Sequence, residues 1–281
     1  MERPHEYRPI LFFLATYVVT WIPWFAGIYL ATRPAGQGYA SLFGYMGLLG
    51  PLAVTIVLIL TSGSKALKAD FRSRFSLRRL RPPYVILAIT MPAVLMYLSI
   101  WLSLAFRQSA DQFRLSRDGN MLGMIILAMI VAPIVEEISW RGYGVDSLRA
   151  KRGTLASTLL FGGLWSLWHA PLVLLPGTYQ HEVAGMDNLL FLVNFFVSAI
   201  PAAIIANWLY YRNHRSILVG ILFHSMANAA AEVPSAGQVT KSIATVLWGV
   251  IALAIIAFDR TTFAGGPRNF VADLSHSSTE T

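Results

Sequence analysis

A chain of 281 residues that is 56% hydrophobic, only 13% charged and +8 in net charge reads as a membrane protein, because a soluble domain carries about 25% charged residues. Its bases lie in loops between apolar runs, so cytoplasmic loops and membrane lipid account for them, and nucleic acid is not an expected partner. The absence of cysteine excludes disulfides, Cys-ligated zinc, Fe–S clusters and a thiol nucleophile.

A spanning helix needs about 20 apolar residues. Stretches of that kind run roughly over 9–31, 40–62, 83–106, 120–140, 154–174, 188–211, 216–233 and 241–258. The expected fold is all-α, a polytopic membrane helical bundle of about eight transmembrane helices. The first apolar run is too long for a signal peptide and is expected to stay uncleaved. Between the second and third spans, KALKADFRSRFSLRRLRPP lies in a basic segment, 63–83, expected to be a cytoplasmic loop. With both termini cytoplasmic, 17 of the 22 Lys and Arg fall on the inner side, as the positive-inside rule requires. The protein is thus expected to be an integral, multi-pass membrane protein, of the cell membrane if prokaryotic. Residues 1–119 hold spans one to three, 120–233 the polar residues considered next, and 234–258 the last span. The tail, 259–281, is polar and expected to be mobile.

Ionisable groups inside a bilayer are costly and mark functional sites. Span four carries Glu136, Glu137 and Arg141 in VAPIVEEISWRGY, near its inner end. Successive helical residues lie about 100° apart, so the two glutamates face different ways. Glu137 and Arg141 can pair at i,i+4, and Pro133 is expected to kink the helix. In span five, FGGLWSLWHAP places Phe161, Trp165 and His169 at i,i+4, while Gly162 and Ser166 permit close approach of another helix. In span seven, GILFHSMANAA aligns Gly220, His224 and Asn228 on one stripe. Taken singly, these groups fit a solvated helix end, a packed histidine and a polar interhelical contact. Taken together, they point to a polar cavity between helices four, five and seven.

A carboxylate beside a histidine can take a proton from water, and a second histidine with an asparagine can donate to an oxyanion. That set suits amide hydrolysis. The same Glu136, His169 and His224 could hold a divalent ion such as zinc with an open water position. Sequence does not separate the two mechanisms, and no cofactor is fixed by it. A proton-coupled transporter is the alternative that buried Glu and His also allow, but the chain lacks paired repeat halves with broken helices.

These stretches resemble the motifs of the CPBP (Abi) family of intramembrane proteases, which includes the type II CAAX prenyl endopeptidases. EEISWR is similar to the family's EExxxR, WSLWHAP to its FxxxH and HSMAN to its HxxxN, in the same order, over roughly Asn120 to Glu232. Trp165 stands where the family pattern has Phe. The resemblance implies a membrane endopeptidase acting near the cytoplasmic leaflet on a peptide or protein substrate, in the CAAX case a prenylated C-terminal tetrapeptide. It implies that Glu136 is the general base and that His169 orients or shares the water. His224 and Asn228 would stabilise the oxyanion, with Glu137, Arg141 and Trp165 in support. The alternative within the family is a non-catalytic membrane scaffold. One geometric demand follows. A straight span four puts Glu136 nearer the inner face, and a span five starting at Thr154 puts His169 nearer the outer face. Helix five is therefore expected to begin below the bilayer, through RAKRGTL.

Overall fold

The computed structural model describes residues 6–116, 123 and 125–277. The start of the fourth predicted span lies outside them. The first part comprises α1 (Pro9–Ala31), α2 (Ala40–Leu48), α3 (Gly50–Thr61), α4 (Lys65–Ser73) and α5 (Pro82–Ser103). Prolines open α1, α3 and α5, at positions whose missing N–H would have had no intrahelical partner. Ser64 caps α4 by accepting from the Leu67 amide.

The fourth predicted span does not end near residue 140. A π-helix, Ile125–Val131, runs into α6 (Ala132–Ser139), a second π-turn, Trp140–Gly144, and α7 (Val145–Arg149). The first change of winding falls beside Pro133, which has no N–H to continue the ladder. Nor does RAKRGTL continue helix five. The chain turns after Arg149, Gly153 is extended, and α8 (Thr154–Trp168) begins there. The depth mismatch closes through helix four instead. Glu136 lies about 13 residues above Arg149 and His169 about 15 above Thr154, so at about 1.5 Å per residue they reach nearly the same level.

After α8 come α9 (Tyr179–Ala184), α10 (Leu189–Arg212), α11 (Ile217–Glu232), α12 (Gln238–Phe258), α13 (Arg260–Phe263) and α14 (Phe270–Ser277). Among the described residues six helices are long and apolar enough to cross a membrane, and α11 is shorter. The fold is an all-α polytopic bundle, and the protein is an integral membrane protein. Among the described residues the only β-pairing is an isolated bridge between Leu115 and Pro234. Gly162 lets α8 close on α10, where an added Cβ would meet the Ile200 Cα at 3.2 Å. Ser166 Oγ donates to the Phe196 carbonyl at 2.8 Å on the same contact.

The basic segment expected to be a surface loop instead inserts charges into the protein. Asp70, Arg74, Asp146 and Arg215 are all buried. Asp146 Oδ2 accepts from Arg215 Nη2 at 2.5 Å, Tyr210 Oη at 2.8 Å and Arg74 Nη1 at 2.9 Å. Arg215 also reaches Asp70 at 2.8 Å, and Asp70 pairs with Arg74. Two acids and two guanidiniums cancel in charge. Arg74 Nη1 also donates to the carbonyls of Arg141 and Gly142, at 2.9 and 3.1 Å. Those carbonyls lie in the second π-turn, so the cluster clamps the helix just below Glu136 and Glu137. The tail, expected to be mobile, also packs here. Phe270 stacks under the Arg215 guanidinium at 4.1 Å, and Val271 is buried.

Candidate active site

Glu136 is buried on α6 and projects toward α8. Two indoles hold the same oxygen: Trp165 Nε1 donates to Oε2 at 2.8 Å and Trp140 Nε1 at 3.2 Å. Oε1 takes no hydrogen bond among the described residues, and Glu136 borders the central cavity. The resemblance gives Trp165 only a supporting role; the structure makes it a donor to Glu136. Trp140 was not singled out by sequence, although it stands i,i+4 from Glu136 and can reach it on the same face. It is packed against Phe161 and Trp168, which lock its ring.

Glu137 faces the other way. Its Oε1 accepts from Arg141 Nη1 at 2.7 Å and from His224 Nδ1 at 3.0 Å. The expected i,i+4 pair is therefore present, and it reaches across to α11. Gly220, one turn before His224, makes room: a Cβ there would lie 2.6 Å from Glu137 Oε2. Arg141 has no accessible surface, and its guanidinium lies over Phe161 at 5.0 Å.

His169 ends α8, where Pro171 turns the chain into the 3-10 segment Ala170–Leu174. Its Nδ1 lies 2.9 Å from the Trp165 carbonyl. A carbonyl only accepts, so Nδ1 carries the proton and Nε2 keeps a lone pair. For His224 the Glu137 carboxylate likewise accepts from Nδ1–H, leaving Nε2 for the cavity. Its ring stands edge-on to Trp165 at 5.5 Å.

All of Glu136, Glu137, Arg141, Trp165, His169, His224 and Asn228 border one cavity of about 810 Å³. The cavity also reaches Tyr179, Glu232 and Lys241, at the bundle end opposite the Arg74–Arg215 cluster. An apolar side pocket of about 340 Å³ adjoins it, sharing Tyr45, Leu48, Gly123 and Leu127. As placed, Glu136, His169 and His224 are not gathered into a ligand set; among the described residues no three His, Cys, Asp or Glu side chains are. Two N–H donors aimed at Glu136 Oε2 also oppose a cation at that atom.

Residues 118–230 match the family described as type II CAAX prenyl endopeptidase Rce1-like. The chain is similar to CAAX prenyl protease 2 of Methanococcus maripaludis, at 36% identity over 268 residues, covering 94% of this chain and 98% of that protein.

Proposed function

Since the chain belongs to the type II CAAX prenyl endopeptidase (Rce1-like) family, we propose that it cleaves lipidated peptides with a water activated by Glu136 and His169. The observation that carries this reading is the arrangement of Glu136: one oxygen fixed by two indole N–H groups, the other bare toward a cavity. A water between Glu136 Oε1 and His169 Nε2 gives its proton to Glu136 as it attacks the scissile carbonyl carbon. His224, protonated at Nε2, and Asn228 donate to the oxyanion. When the intermediate collapses, the C–N bond breaks and Glu136 returns the proton to the leaving amine. Glu137 and Arg141 orient His224. The water-filled cavity is what makes these charges tolerable at membrane depth.

The apolar side pocket gives a lipid chain a place beside the polar chamber, which supports a prenylated substrate. The cavity reaches the bundle end that carries Tyr179 and Lys241, and this is the end we propose for access. Cytoplasmic termini would put that end at the outer face.

The test is cleavage of a fluorogenic prenylated peptide by the protein in liposomes, with products identified by mass. Cleavage at a single bond is expected. A protein that binds the peptide and never cuts it would be the scaffold of the same family. In the same assay Trp165→Phe, which restores the family's usual aromatic, removes one charge-assisted donor worth about 1.5–3 kcal/mol. Its kcat is expected to fall roughly tenfold or more with KM little changed; an unchanged kcat would contradict the positioning role.

A further inference from the structure

The geometry points to Lys241 and Glu232 as the subsite for the free C-terminal carboxylate of the peptide, which rests on the hydrolase reading above. Among the described residues bordering the cavity, Arg141 and Lys241 are the two Lys or Arg side chains. Arg141 has no accessible surface and is tied through Nη1 to Glu137, so its remaining N–H groups are buried away from the wide end of the cavity. Lys241 stands in the first turn of α12 at the wide end of the cavity. Its Nζ pairs with Glu232 Oε1 at 3.0 Å and lies 4.5 Å from the centre of the Tyr179 ring. Both partners keep some surface, 13% for the Lys241 side chain and 29% for Glu232. The lysine is thus held at the rim by a ring that stays and a carboxylate that another carboxylate can replace.

The spacing fits. Glu232 lies just over two helical turns beyond His224 on α11, roughly 12 Å along the axis. Three extended residues span about 10 Å. A tetrapeptide cut after its lipidated first residue leaves three residues before the terminal carboxylate. With the scissile carbonyl at His224 and Asn228, that carboxylate arrives at Lys241 and displaces Glu232. The lipid chain leaves in the other direction, toward the side pocket. Glu182 also borders the rim, so with Glu232 in place the rim repels an anionic end, and the exchange at Lys241 provides the selectivity.

Binding and cleavage are measured separately on two prenylated peptides of identical sequence, one ending in a free acid and one in a carboxamide. Binding is read by fluorescence anisotropy on the Glu136→Gln protein. The acid is expected to bind at least tenfold tighter than the amide. Adding Lys241→Gln removes that preference by weakening the acid alone, and Lys241→Arg restores most of it. Adding Glu232→Gln strengthens the acid a few-fold and leaves the amide unchanged. Equal binding of acid and amide, or equal loss of both in Lys241→Gln, overturns the subsite. Cleavage by the wild-type protein reports on the hydrolase reading instead. An intact acid preference without any cleavage would sink that reading and keep the subsite.

Discussion

Glu136→Gln is expected to lower kcat by about a thousandfold, within the range of about 10² to 10⁴ for a general base, while the protein stays folded. The reason is local. Trp140 and Trp165 both donate to Oε2, and the carbonyl oxygen of glutamine can accept both bonds in the same place. Its amide nitrogen then faces the cavity where Oε1 stood, and a nitrogen already carrying two protons takes none from water. Shape, hydrogen bonds and peptide binding are conserved; the base alone is lost. Thermal unfolding in detergent should shift little. Activity within tenfold of wild type would move the base to His169, whose Nε2 keeps a lone pair while Nδ1 donates to the Trp165 carbonyl. A large drop in thermal stability would make Glu136 a structural group.

Asp146→Asn is expected to produce the largest loss of stability, about 3–5 kcal/mol, since it removes one charge from a buried network and leaves its partners uncompensated. Arg74 and Arg215 would then share Asp70 alone. Asp146 also anchors Arg74, whose Nη1 donates to the Arg141 and Gly142 carbonyls of the π-turn Trp140–Gly144, and that turn connects directly to the helix bearing Glu136 and Glu137. Lower thermal stability and reduced cleavage are therefore expected together, although Asp146 does not border the cavity. The acid limb has the same origin. Burial pushes the Asp70 carboxyl up, but the Arg74 and Arg215 guanidiniums outweigh that and hold it below the ordinary carboxylate range. A depressed folded-state value stabilises the protein above the unfolded value and is lost as pH falls through the lowered one. The cluster should thus persist to a pH below the usual carboxylate range and fail beneath it. Unchanged thermal stability in Asp146→Asn would contradict the clamp.

What was readable in the sequence was short-range or carried by composition. The apolar runs gave the helices, because a membrane forces the backbone to satisfy itself within each segment. The Glu137–Arg141 pair and the Gly220–His224 stripe followed from helical spacing, and both are present. Gly162 and Ser166 marked a close helix contact, and α10 lies there. The misses share a cause. Continuation of helix four to Arg149 was hidden because its last turns carry Arg141, Asp146 and Arg149, which look like a helix leaving the membrane. Arg141 is paired within its own helix by Glu137, whereas Asp146 is neutralised by Arg74 and Arg215 and Arg149 is held by the Gly266 carbonyl, all far away in the chain. Asp70 was the one acid among seven bases between Lys65 and Arg81, at i−4 from Arg74. That was the available signal. Trp140 was passed over because an indole in an apolar run reads as packing, and only the fold brings a second indole to the same oxygen. The side from which the cavity is reached depends on where α9 and the start of α12 lie, which spacing along the chain does not reveal.

The central claim is that Glu136 activates water without a metal. The direct measurement is turnover of the prenylated peptide as a function of bound metal per chain, on protein stripped with chelator, with metal content read by mass spectrometry. The account predicts an undiminished rate from protein carrying almost no metal. A rate that falls in proportion to metal and returns with zinc would contradict it, and would make Glu136, His169 and His224 ligands of that ion.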